Sequence, residues 1–311
     1  MAASSTRSSR NVETSDPIRI DVTAAAISAA PKPARPYRVR RRVLPGFGLT
    51  MGTTLFYLTL IVLLPIAALI LKTTDAGLVR FWDVVSSPRA VASFRVTIGA
   101  ALIATVFNAV YGLLMAWILT RYRFPGRTLL DGLMDLPFAL PTAVAGIALT
   151  ALFAGNGWFG SILEPAGYPV AYTLVGVAVA MSFTSVPFVV RSVQPVIEEL
   201  RAEVEESAAT LGAWNWQTFR RIIYPAIFPA HLAGCTMAFA RSLGEFGAVI
   251  FIAGNLPFET EISALLIFIR LEEYDYPAAA AIAVVLLAVA FVTLLTTNAI
   301  QSWRLRRAVK D

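Results

Sequence analysis

Arg241 and Glu245 stand four residues apart inside a long apolar stretch. On a helix that spacing puts both side chains on one face, one turn apart, where they can pair. An unpaired charge at the centre of a bilayer costs about 2.5 to 3.5 kcal/mol on insertion scales, so charges kept there face the interior of a bundle or a water-filled path. Two roles fit: lining a translocation path, or a structural ion pair that locks one helix to its neighbour. Pro137, Pro141 and Gly146 in one apolar run, with Pro187 in the next, interrupt intrahelical hydrogen bonding. They are hinges for alternating access or static kinks.

Covalent chemistry finds little support. Cys235 is the single cysteine and His231 the single histidine, which excludes an intramolecular disulfide, a zinc framework and a histidine-based triad. Both read as packing residues. No resident metal or cofactor is expected. The lysines Lys32, Lys72 and Lys310 follow Pro31, Leu71 and Val309, so none completes the Gly-Lys-Ser/Thr of a phosphate-cradling loop. Asp135, at the entry to a span, reads as an interfacial residue.

The elements that must position these residues are set by where charge is missing. The chain of 311 residues is 57% hydrophobic and 15% charged, against about 25% charged in an average soluble domain. Such a chain cannot clothe a soluble surface. Charge-free runs extend over 43–71, 96–120, 136–163, 165–190, 222–240 and 276–303. Each meets or nearly meets the about 20 apolar residues needed to cross roughly 30 Å of hydrocarbon. The fifth run continues past Arg241 and Glu245 through Ala253, and is predicted as one long helix with two embedded charges. A seventh crossing between Phe246 and Ile269 is the alternative. The expected fold is all-α, polytopic, with about six transmembrane helices.

Residues 1–47, rich in Ser, Ala, Pro and Arg, read as a disordered basic tail. The apolar run behind them starts too late and lasts too long for a removable signal peptide. The first transmembrane helix is placed at 48–72, a transmembrane core at 92–300 and a basic end at 301–311. Of 26 bases, nine lie in the tail, three are Arg121, Arg123 and Arg127, four are Arg191, Arg201, Arg220 and Arg221, and four close the chain. The opposite side receives only Lys72, Arg80, Arg89, Arg95 and Arg270. That asymmetry places both termini in the cytoplasm. The net charge of +6 is thereby a topology signal, and with no basic patch interleaved with aromatics no nucleic-acid partner is expected.

The largest interruption is the cytoplasmic loop 191–225. Ile197, Leu200, Val204, Ala208 and Leu211 recur at three- and four-residue steps after Pro195, with Glu198, Glu199, Arg201, Glu203, Glu205 and Glu206 mostly between them, which predicts an amphipathic helix opened by Pro195 and stopped at Gly212. A helix lying on anionic lipid favours Lys and Arg. An acidic face followed by Trp214 and Trp216 suits a protein partner better.

Glu206-Ser207-Ala208, then Gly212, Ile222 and Pro225 resemble the Glu-Ala-Ala loop of the membrane subunits of ATP-binding-cassette importers, with the family's spacing throughout. Ser207 and Tyr224 depart from the usual Ala and Leu. The run 140–150 with Asn156-Gly157-Trp158, the run 241–255 and the run 274–279 are similar to the T-subunit branch of sulfate/thiosulfate importer permeases. Molybdate and tungstate permeases share parts of these runs and stay open as the alternative. The resemblance covers roughly 50–303. It implies a type I (MetI-like) importer permease fold in the bacterial inner membrane, with Glu206 to Gly212 as the segment docking into an ATPase. It also implies a homologous second permease subunit, two ATPase subunits that bind the ATP and Mg, and a periplasmic sulfate-binding protein. An ion-coupled secondary transporter using Arg241 and Glu245 is the rival. It would show related halves, and no internal repeat is seen.

Overall fold

The structure, a computed structural model, describes residues 47–75 and 77–308. The tail expected at 1–47 lies outside the described residues but for Phe47, as do the last three residues of the basic end. The chain divides into an N-terminal unit ending at Phe56 and a second unit from Tyr57 onward. Of the first, only the exposed helical residues 47–56 are described.

Among the described residues all regular structure is helical. The long elements are α1 (Phe47–Thr74), then, after the short α2 (Gly77–Val85), α3 (Pro88–Arg121). Next come α4 (Arg127–Ala139) and α5 (Thr142–Phe153), bent 114° from each other, and α6 (Leu174–Glu199). Beyond them lie α7 (Ala202–Thr210), α8 (Asn215–Leu243), the single turn α9 (Val249–Ile252), α10 (Ser263–Glu272) and α11 (Tyr276–Ala308). Ser87 caps α3 by accepting from the Ala90 N–H at 3.4 Å, and Pro88 sits in the first turn where its missing N–H costs nothing. Two π-helical turns, Thr59–Leu63 and Phe219–Ile223, precede Pro65 and Pro225. Each widens the helix where a proline cannot donate to the preceding turn.

The centre is α3, α6 and α8, packed through small residues. Ala100, Ala101, Ala104, Ala116, Ala178 and Ala180 are buried. A Cβ built at Gly112 of α3 would fall 2.8 Å from Val189 Cβ of α6, and one at Gly234 of α8 2.9 Å from Val189 Cα. Close backbone approach of this kind is how helices gain contact in lipid, where burial of apolar surface offers no drive.

Among the described residues five helices are long and apolar enough to cross a membrane. The third expected span is the bent pair α4–α5. Asp131 of α4 contacts Arg191 near the C-terminal end of α6, while Leu149 and Phe153 of α5 lie beside Val175 and Ala178 near its N-terminal end. The pair therefore reaches both ends of α6, and counted as one broken crossing it brings the described spans to six.

The fifth helix departs from expectation. It ends at Leu243 and does not continue through Glu245 to Ala253. Ser242 Oγ donates to Ser185 Oγ at 3.1 Å, and Ser185 lies midway along α6, so α8 stops near the middle of the bundle. The backbone then continues irregularly through α9, and the Tyr172 N–H donates to the Ile252 carbonyl at 2.7 Å just before α6 begins. The seventh crossing considered for 246–269 does not form, because neither α9 nor the ten-residue α10 is long enough to span.

The loop helix also differs. Pro195 lies inside α6, which runs to Glu199, so the amphipathic stretch is divided. Ile197 is fully buried and Leu200 packs on the same core, which holds the end of α6 against the bundle while α7 starts anew after the extended Leu200 and Arg201.

Candidate functional site

Two helix interruptions meet inside the bundle. The first is the bend at Leu140 and Pro141, where Leu140 is extended, as a residue before proline prefers. The second is the stretch from Gly244 to Ala248. A Cβ at Gly146 of α5 would run into the Ala248 carbonyl, and one at Gly247 into the Thr142 side chain. The two segments touch because glycine stands at both contacts. These are also the runs 140–150 and 241–255, separated by about a hundred residues in the chain.

Glu245 lies at this junction with 1% of its surface exposed. Its Oε1 accepts the N–H of Ala248, the residue that precedes the turn α9, at 2.9 Å. Its Oε2 is 2.7 Å from Arg241 Nη1. That approach lies outside the directions of the guanidinium N–H groups, so Oε2 accepts no hydrogen bond and the attraction is Coulombic. Arg241 occupies the last turn of α8, where a cation suits the negative end of the helix dipole. The sequence placed the pair on one helical face. In the structure the helix has ended before Glu245, and the pair forms across its C-terminus. About a third of the Arg241 side chain remains exposed, 35%, so the acid is dry while the base presents a surface.

Of the other residues expected to interrupt helices, Pro141 stands at the bend and Gly146 at the contact just described. Pro137 is buried within α4, and Pro187 is buried within α6, which continues past it.

Beside the junction is a polar knot that the sequence reading missed. Asn108 Nδ2 donates to Ser185 Oγ at 2.8 Å and to the Ser182 carbonyl at 3.2 Å, and Ser185 also receives the Ser242 hydroxyl. Asn108, Ser185 and Ser242 are fully buried, and Asn108 Oδ1 is left without a hydrogen bond. The signal was available as an uncharged amide in the apolar run 96–120. Next to it opens a largely apolar cavity of about 680 Å³ lined by Asn108, Ser182, Phe183, Pro137 and Phe153 among others.

The second candidate region is α7 and the turn behind it. Glu206 and Ser207 are exposed, Ala208 is buried, and Leu211 is 88% exposed. The Ala213 N–H donates to the Ala208 carbonyl and the Gly212 N–H to the Ala209 carbonyl, both at 3.0 Å, with Gly212 at φ +81°. This is a left-handed helix end that glycine adopts at least cost. Trp214 and Trp216 are exposed beyond it, Ile222 is half-buried in the π-helical turn, and Pro225 is exposed just past that turn within α8.

Both ends of the bundle are tied by ion pairs. At the end carrying α7, Arg191 binds Asp135 through Nε and Nη2 at 2.8 and 2.6 Å, and Asp131 Oδ1 through Nη1 at 2.7 Å. Asp135, read from sequence as interfacial, thus holds α4 to α6. Arg121 pairs with Glu205. At the other end Arg89 grips Glu261 with two hydrogen bonds of 2.9 and 2.6 Å, and Arg80 pairs with Asp275. Glu261 is 2% exposed, so its charge is stabilised by a bidentate partner and not by water. Among the described residues there is no cluster that could hold a metal ion.

Six crossings, two of them interrupted where they meet, and a separately hinged helix at one end define a polytopic membrane transport protein, since irregular backbone at that depth persists only inside protein or along a cavity. Residues 108–307 match the family described as binding-protein-dependent transport system inner membrane component, and the chain belongs to that family. It is 58% identical over 269 residues to the sulfate transport system permease protein CysT of Salmonella typhimurium, covering 86% of this chain and 97% of the relative. The protein of the same name from Escherichia coli is 56% identical over the same shares, and that of Synechocystis 48% identical over 82% of this chain and 89% of its own. A bacterial ABC transporter involved in import of the acidic polysaccharide alginate superposes with a TM-score of 0.67 at 17% identity, over 82% of this chain and 94% of that one. Its complex with an alginate-bound periplasmic protein gives 0.67 at 18%, over 81% and 92%. These structures share the fold.

Proposed function

We propose that the chain is the transmembrane permease subunit of an ATP-driven importer that carries sulfate and thiosulfate into the cytoplasm. The observation that carries this reading is identity of 58% along nearly the whole length of a relative named as a sulfate permease. The chain has no catalytic role of its own. Two copies of a partner ATPase bind ATP and Mg, a homologous second permease subunit completes the path, and a periplasmic sulfate-binding protein delivers the anion from outside. Both termini are cytoplasmic, in keeping with the distribution of bases. The exposed Glu206, Ser207 and Leu211 of the α7 region, with the turn at Gly212, form the surface that docks on the ATPase. Arg241 lines the translocation path, a role its partial exposure beside the dry Glu245 supports better than a purely structural pairing.

The energetics explain the need for ATP. Each negative charge moved into a cell with a negative interior costs about 2.3 kcal/mol per 100 mV, so a dianion costs roughly twice that before any concentration gradient. A passive pore would let it leak out.

Two measurements test the reading. With Glu206→Lys the chain should still fold, while the ATPase subunit that co-purifies with the wild type should be lost. Equal recovery from both proteins overturns the docking assignment. Uptake of labelled sulfate should be competed by thiosulfate, whereas inhibition by molybdate at far lower concentration would move the assignment to the molybdate and tungstate importers.

A further inference from the structure

We propose that Arg121 and Glu205 are positioning residues that carry the motion of the docking helix into the membrane bundle. The inference rests on α7 being the ATPase-docking helix. What it adds is the route by which a displacement of α7 reaches the spans. The covalent connections of α7 are poor levers. Leu200 and Arg201 are extended on one side, and on the other the chain turns at Gly212 in a left-handed conformation. A push on α7 is absorbed by rotation at those links unless something ties the helix laterally to the bundle.

The lateral tie is at Glu205. This residue lies in the first turn of α7, where an acid suits the positive end of the helix dipole, and it pairs with Arg121, the last residue of α3, where a base suits the negative end. The pair therefore joins the start of the docking helix to the end of a helix that runs the full depth of the bundle. Both partners are partly shielded, with side-chain exposures of 24% and 33%. Arg121 is also held from below, its guanidinium lying 5.4 Å from the centre of the Trp117 ring.

Aromatic contacts extend the tie to a second span. Trp117 meets Phe219 edge to face at 5.6 Å, and Phe219 stacks on Trp216 at 5.5 Å. Phe219 opens the π-helical turn Phe219–Ile223, the one place near the base of α8 where the hydrogen-bonding pattern is already loosened. Glu205, Arg121, Trp117, Phe219 and Trp216 so form a continuous series across α7, α3 and α8. Glu205, Trp117, Phe219 and Trp216 border a groove of about 520 Å³ between α7 and the bundle, with Ala209 and Ala213 on its α7 side. Beside that groove the Arg121–Glu205 pair ties the start of α7 to the end of α3.

The test uses the whole complex in proteoliposomes, reading ATPase co-purification, ATP hydrolysis and sulfate uptake. In Arg121→Glu, whose residue lies on α3, the exposed face of α7 is unchanged, so the ATPase should still co-purify and hydrolyse ATP; Glu205→Arg is the matching reversal on α7. Uptake per ATP hydrolysed should fall about tenfold, equivalent to about 1.4 kcal/mol of coupling. The exchange Arg121→Glu with Glu205→Arg should recover most of the loss, which a merely structural disturbance would not do. Trp117→Leu, which keeps both charges but removes the ring beneath Arg121, should lower uptake per ATP by a smaller factor. Single reversals with wild-type uptake per ATP, or an exchange that restores nothing, overturn the proposal. Failure of the ATPase to co-purify even with the wild type would instead overturn the docking reading beneath it.

Discussion

The helix junction inside the bundle and the helix α7 at its end, proposed above to dock, both depend on glycine, for opposite reasons. At the junction the requirement is space: a Cβ at Gly146 would occupy the position of the Ala248 carbonyl, and one at Gly247 that of Thr142. At the docking helix it is dihedral: Gly212 has φ +81°, but nothing lies within 4 Å of where its Cβ would be. The first region is a tight contact between two interrupted spans. The second is a free-standing turn that stays open for something else to cover. Irregular backbone in the bundle survives by being enclosed, whereas irregular backbone at its end survives by being solvated.

Substitution at the two glycines separates these causes. Gly146→Val should cost about 3 kcal/mol or more, because backbone atoms must move to admit it. Thermal unfolding of the purified protein in detergent should register it as a collapse in stability, with loss of uptake. Gly212→Ala meets no obstacle and should cost only about 1 kcal/mol of dihedral strain. Equal effects would erase the distinction. Between them in size stands Glu245→Ala, expected to cost about 3 kcal/mol less a discount for the exposed part of Arg241, since it removes the acceptor of the Ala248 N–H and leaves Arg241 unpaired at depth. Glu245→Gln keeps an oxygen for the Ala248 N–H but also leaves Arg241 without its counter-charge, so it should lose less stability than Glu245→Ala while uptake falls. Wild-type uptake in that variant would leave the pair without a transport role.

The two regions were legible in the sequence to different degrees. The spans showed as charge-free runs because lipid tolerates few alternatives, and the end of α7 showed because Gly212 follows an amphipathic pattern that it must stop. The end of α8 at Leu243 did not show. The residues 246–253 are as apolar as a helix interior, and hydropathy cannot tell a helix from an enclosed turn. What holds the break is local and tertiary together: Glu245 accepts the Ala248 N–H three residues on, and the carbonyl of Ala248 meets Gly146. Asn108 was hidden for a related reason, since a single amide hardly lowers the hydropathy of a run although it links α3 to α6. Pro195 misled in the other direction. Its helix persists through it because Ile197 and Leu200 are held by the core, and the break falls where that packing ends.

The smallest effect on stability is expected at Leu211. Its side chain is 88% exposed and has little packing to lose, so Leu211→Ala should leave thermal unfolding within about 0.5 kcal/mol of wild type. An apolar side chain held this far into water beside Gly212 contributes to the protein only if a partner buries it. Recovery of the ATPase with the Leu211→Ala permease should therefore drop although the permease itself is unaffected. If recovery is unchanged, the docking contact rests on the polar face at Glu206 and Ser207 alone. If stability falls instead, Leu211 is packed within the chain, and the contrast between an enclosed junction and an open docking turn fails at its most exposed residue.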